Sequence, residues 1–157
     1  MAQMDIKKYQ PYLIIGLIVI LALLTFWTRG IPADGLVTDE GVNLLGNDPW
    51  YNLRQVEQTL ANFPAYAWFD AMTLYPTGDV IYWGPLFIEI ISALCLLAGA
   101  TTRPEIMLVA SWVPPLMAVV MVPVVYLLAR KIADWKTGLI AAGLIAVIGS
   151  NYAYRSL

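Results

Sequence analysis

The sequence predicts an all-α polytopic membrane protein, with about three transmembrane helices plus membrane-parallel helices in a long outer loop. Three observations carry that expectation. The 157 residues are 60% hydrophobic and only 13% charged, against about 45–50% and about 25% in soluble domains. The apolar residues gather in runs that match the ~20 residues needed to cross a ~30 Å hydrocarbon core. Between the first run and the later ones lies a long stretch rich in Pro, Gly, Asp and Asn.

Residues 11–28 form the first predicted span. Lys7 and Lys8 precede it and place its start in the cytoplasm, by the positive-inside rule. Phe26, Trp27 and Arg29 stand where a signal peptidase would need small residues, so the run is expected to stay as a helix. Residues 29–105 form the predicted outer loop. Its acids include Asp34, Asp39, Glu40, Asp48, Glu57, Asp70 and Asp79. Within it, Asp48-Pro49 has the form of a helix start, with Asp as N-cap and Pro at the first helical position. Leu53, Val56, Leu60 and Phe63 then share one helical face, which predicts an amphipathic helix along the membrane surface, ended by Pro64. Pro76-Thr77-Gly78 reads as a turn.

Residues 84–99 are apolar but short, and Glu89 interrupts them. Residues 106–129 are long enough to span, and residues 130–136 hold the basic cluster Arg130, Lys131 and Lys136, which predicts a cytoplasmic loop. Parity then bears on residues 84–99. If the first span leaves the cytoplasm and 106–129 return to it, 84–99 must lie in or along the membrane as part of the outer loop. The alternative is three ordinary crossings that put the basic cluster outside. Residues 137–154 form the last predicted span, and their Ala and Gly content suits close helix packing in lipid.

Composition closes several function classes. Basic residues do not cluster on a soluble stretch, so no nucleic acid partner is expected. The chain has no His and a single cysteine, Cys95, which excludes an internal disulfide and an imidazole or thiolate metal site. Any metal would need oxygen ligands, which favours Mg²⁺ or Mn²⁺.

The sharpest local feature is Gly46-Asn47-Asp48-Pro49-Trp50-Tyr51-Asn52-Leu53-Arg54. A carboxylate at a turn beside the membrane is placed to hold a divalent cation against the phosphate of a lipid carrier. It could equally do no more than cap the helix that follows. Trp50 and Tyr51 would sit at headgroup depth. Glu89 inside an apolar run is either functional or reaching to the interface. Asp70, Asp79, Asp39 and Glu40 are expected to be solvated loop acids, and Arg103 an interfacial anchor. Arg155 would face the same compartment as Asp48, to meet a phosphate, pair with Asp48 or anchor the interface. Trp68-Phe69 and Tyr82-Trp83 fit an interfacial aromatic belt, although sugar stacking is also open to them.

These residues resemble a known family. GNDPWYNLR after one span is similar to the first acidic motif of oligosaccharyltransferase catalytic subunits. WFDAMTLYPTGDVIYWGPL resembles that family's first outer loop, and NYAYRSL its Arg before a second acidic motif; the wording is nearest the archaeal AglB-type branch. The resemblance implies transfer of a glycan from a polyisoprenoid (dolichol) phosphate or diphosphate carrier to the Asn of an Asn-x-Ser/Thr acceptor protein, at the outer face of the archaeal membrane, with Mn²⁺ or Mg²⁺. It implies Asp48 as the metal-binding and catalytic acid and Arg155 as a substrate-binding residue. The chain ends where the second acidic motif would begin, so it is expected to be the N-terminal part of such an enzyme and inactive by itself. Two alternatives stay open: another glycosyltransferase using a polyisoprenoid-phosphate sugar, and a non-catalytic membrane scaffold.

Overall fold

The computed structural model describes residues 6–30, 37–38, 41–42, 44 and 47–148. These are mostly helical: α1 (Ile6–Gly30), α2 (Asn47–Asn62), α3 (Leu86–Ala98), α4 (Arg103–Ile132) and α5 (Trp135–Val147). Two short antiparallel ladders, absent from the all-α expectation, join β1 (Val37–Thr38) to β2 (Gly41–Val42) and β3 (Phe69–Asp70) to β4 (Asp79–Val80). The chain divides into two compact units. One takes the described residues up to 30 and from 114 onward; the other takes 37–113.

In the first unit the apolar surface faces outward. The 25 residues of α1 make about 37 Å of helix and the 30 of α4 about 45 Å, both longer than the hydrocarbon core. The most apolar stretches of these two helices are only 6% and 17% buried, whereas the core helix of a soluble protein would be mostly buried. Lipid is the solvent that tolerates such a surface, and a helix satisfies its own backbone there. Two helices among the described residues are thus long and apolar enough to cross a membrane. The third predicted span, 137–154, is described only through residue 148, with α5 contributing 13 helical residues.

Small residues bring α5 close to its neighbours. Gly138, Ala142 and Ala146 are buried at four-residue intervals. Ala142 joins Val122 and Tyr126 of α4 in a core against which Ile14, Ile18 and Leu21 of α1 pack. Local capping explains why both helices begin earlier than their apolar runs. Glu105 accepts from the Thr101 and Thr102 backbone N–H groups, each at 2.9 Å, which is the glutamate half of a Thr-x-x-Glu capping box. Asp134 accepts from the Thr137 N–H at 2.8 Å and caps α5. Only Ala133 and Asp134 lie between α4 and α5, so most of the predicted 130–136 loop is helix.

The second unit has an apolar core of its own. Leu53 and Val56 of α2 meet Ile88, Ile91 and Cys95 of α3, and Val42, Leu44, Ile106, Met107 and Val113 complete the core, with Leu60 packed against it. This corrects the expectation for α2: its apolar stripe is covered by α3, not by lipid, and Phe63 lies exposed beyond the helix end. The 13 residues of α3 make about 20 Å, short of the hydrocarbon core. Gly99 ends α3 in the left-handed region at φ 69°, and the Ala100 N–H returns to the Cys95 carbonyl at 2.9 Å, the usual glycine stop. The predicted turn at Pro76-Thr77-Gly78 links β3 to β4, with Gly78 at φ 71° and the Phe69 ring where a side chain would have to go.

Candidate functional site: an acidic, aromatic cavity at the start of α2

One open cavity of about 610 Å³ lies in the second unit. Asn47, Asp48, Tyr51 and Asn52 line it from the first turns of α2, Thr73, Asp79 and Val80 from the β3–β4 hairpin, and Tyr82 and Trp83 from the segment that follows. That volume is within the roughly 300–1,000 Å³ of small-molecule sites.

Helix α2 begins at Asn47, so Asp48 stands inside the first turn. Its side chain is exposed, and it has no hydrogen bond or ion pair among the described residues. The capping role therefore gains no support: a cap would accept from an N–H one turn on. Backbone N–H groups of a first helical turn lack intrahelical partners, which favours negative charge beside them.

The helix that carries Asp48 is held by side chains whose sequence neighbours gave no hint of it. Asp70 is a correction: expected as a solvated loop acid, it is 2% exposed and bonded to the Arg54 guanidinium at 2.6 Å. Burial works against ionisation of this carboxyl. The Met72 N–H at 2.9 Å, the Thr73 hydroxyl at 3.1 Å and Arg54 outweigh burial and hold its pKa below the ordinary carboxylate value. Gln55, also 2% exposed, accepts from the Tyr66 hydroxyl at 3.3 Å and from the Trp83 indole N–H at 3.2 Å. Arg103, expected as an interfacial anchor, pairs with Glu57 at 2.9 Å and lies 5.8 Å from the Trp50 ring centre. Trp50 in turn donates to the Leu44 carbonyl at 3.2 Å.

Around the cavity the aromatic side chains are also tied down. Tyr51 meets Trp83 edge to face, with ring centres 5.2 Å apart. The Tyr82 hydroxyl donates to Asp79 at 3.2 Å, and that bond raises the tyrosine's pKa and keeps it a donor. Glu89 sits half-buried in the first turn of α3.

Oxygen donors are the right chemistry for a hard divalent cation. Among the described residues no three His, Cys, Asp or Glu side chains gather to hold one. Arg155, Asp39 and Glu40 fall outside the described residues.

Residues 12–157 match the family model described as oligosaccharyl transferase STT3, N-terminal. The chain belongs to the STT3 family. Dolichyl-phosphooligosaccharide-protein glycotransferase 3 of Archaeoglobus fulgidus is 34% identical to this STT3-family chain over 149 residues, which is 95% of this chain and 17% of that protein. The oligosaccharyltransferase AglB from the same organism, solved with an inhibitory peptide and a dolichol-phosphate, has a TM-score of 0.82 at 34% identity. That match covers 88% of this chain and 16% of that one. A crystal structure of the A. fulgidus oligosaccharyltransferase with Zn and sulfate gives a TM-score of 0.81 at 35% identity, covering 90% and 18%. This STT3-family chain thus spans about 17% of the length of the curated relative.

Proposed function

We propose that this chain supplies the outer-face acidic half of a site that moves a glycan from a polyisoprenoid (dolichol) phosphate or diphosphate carrier onto the Asn of an Asn-x-Ser/Thr acceptor. One observation carries the reading. In a chain of the STT3 family, the Asp48 carboxylate is exposed and without a partner among the described residues, lining an open cavity on a helix held by the Arg54–Asp70 ion pair.

Asp48 would hold Mn²⁺ or Mg²⁺ together with oxygen ligands from beyond the described residues; bound there, such an ion withdraws charge from the carrier phosphate as the glycosidic bond breaks. Asp48 also accepts from the acceptor amide N–H and turns its nitrogen toward the sugar carbon. Arg54–Asp70 and the Gln55 bonds keep α2 from yielding when charge moves, so alignment is set before the reaction. Arg155, at the end of the last apolar segment, meets the carrier phosphate or pairs with Asp48. The N-terminus is cytoplasmic and residues 29–105 lie on the outer face. Residues 106–129 return, 130–136 are cytoplasmic and 137–154 cross outward. The shortness of α3 supports its place within the outer loop.

The variant Asp48→Cys in the complete protein tests both chemistry and sidedness, with labelling read against the parent protein, in which Cys95 is buried. Glycan transfer should fall about 100-fold or more with folding unchanged. A membrane-impermeant maleimide added outside intact cells should label the variant. Undiminished transfer removes the catalytic role, and labelling only after lysis reverses the topology.

A further inference from the structure

We propose that Trp83, with Tyr51 and Tyr82, forms a carbohydrate platform: the subsite that holds the sugar next to the carrier phosphate, beside Asp48. The proposal rests on the glycan-transfer reading of the same cavity and names the part of the substrate that this wall takes.

The orientation of Trp83 decides between an interfacial anchor and a binding wall. An anchoring tryptophan turns its N–H to water and head groups and its ring to the acyl chains. Trp83 does the reverse. Its N–H points inward to Gln55, a side chain 2% exposed, while the residue remains 48% exposed. Tyr51 braces it from the edge. What is left open at the cavity is rigid apolar ring surface.

The rest of the wall is polar. Asp79, which holds the Tyr82 hydroxyl, and Asn52 face the same cavity as Asp48. A pyranose presents a face of C–H groups and a rim of hydroxyls. The rings suit the face, and carboxylate and amide oxygens accept from the rim. A polyisoprenoid tail would strip two carboxylates of water without replacing their hydrogen bonds. A bare phosphate would meet like charge. Gln55 is then a positioning residue, acting through Trp83.

The test compares two probes on the complete protein in lipid nanodiscs: a short polyisoprenyl phosphate carrying one hexose, and the same phosphate without it. Trp83→Ala should weaken the hexose-bearing probe about tenfold while leaving the bare phosphate within about twofold. Trp83→Phe should recover part of the loss, and Gln55→Leu should fall between. Equal weakening of both probes, or no change in either, overturns the proposal. If Trp83→Ala does not fold, the exposed Tyr82→Ala takes its place, with the same contrast between probes expected and the same outcomes overturning the proposal. Should Asp48→Cys retain transfer while Trp83→Ala still loses only the hexose-bearing probe, the metal reading falls and the sugar platform stands.

Discussion

The two units of this chain use apolar residues in opposite directions. In the unit containing α2 and α3, Leu53, Val56, Ile88 and Ile91 point inward around one core, and Asn47, Asp48, Asn52 and Asp79 line a cavity, although Leu74, Tyr82, Leu86 and Leu97 also point out. In the unit containing α1 and α5, Ala142 and Ala146 are buried beside Val122 and Tyr126, while Leu13, Ile20, Leu23 and Leu144 point out. The difference locates the solvent. A long helix whose large apolar side chains point outward along its length is at home in lipid.

The largest effect should come from putting a charge on the lipid side. Ile20 is 60% exposed in mid-α1. On a water-facing surface Ile20→Lys would be near neutral, within about 0.5 kcal/mol. In a membrane-crossing helix it should cost about 3 kcal/mol of insertion. Gln58→Lys on α2 is the matched control, expected to change nothing. Membrane fractionation and an insertion assay read the contrast, and equal tolerance of both lysines would break the comparison.

Next in size is the ion pair that distinguishes the polar unit. Asp70→Ala strands the Arg54 guanidinium, the Met72 N–H and the Thr73 hydroxyl at once. Because Arg54 is 35% exposed, water recovers part of the loss, and the expected cost is about 2–3 kcal/mol. The pH dependence carries a definite sign. The folded carboxyl titrates below its ordinary value, so its contribution is whole above about pH 4. It fades as pH falls through the lower folded pKa. Thermal unfolding in micelles between pH 7 and 3 should show that acid loss in the parent and a flatter profile in Asp70→Ala. Identical profiles would mean that the ion pair adds nothing to the stability of this unit.

How much of this is legible in the sequence divides along the same line. Helices α1 and α4 are readable because lipid imposes a continuous apolar run; the capping residues at Thr102 and Glu105 then account for the early start of α4. The α2 stripe of Leu53, Val56 and Leu60 is readable too, but periodicity names a buried face without naming what covers it, and α3 is the cover. Asp70 reads as a loop acid because its partner lies sixteen residues away on another element. Gln55 and Trp83, separated by 28 residues, escape local reading for the same reason. Asp48 stands out in its motif, yet whether it opens the helix or stands inside the first turn depends on a two-residue shift in where the helix begins. That shift lies within the tolerance of any local pattern.

The smallest effect sharpens the comparison most, because it separates tight packing from mere burial on one helix. A Cβ at Gly138 would stand 2.8 Å from the Tyr126 carbonyl oxygen and 2.9 Å from its ring. A backbone oxygen cannot swing aside as a flexible side chain does. Gly143, five residues on in the same α5, has nothing within 4 Å of a new Cβ. Both glycines would gain about 0.8–1 kcal/mol of helix propensity on becoming alanine. Overpacking at Gly138 opposes that by about 1–3 kcal/mol. Gly143→Ala should therefore be neutral to stabilising and Gly138→Ala destabilising by about 1 kcal/mol, with unfolding in micelles as the measure. If the two alanines behave alike, α4 and α5 yield to each other freely. The small residues of α5 would then be a feature of composition and not the means by which this unit packs without a large apolar core.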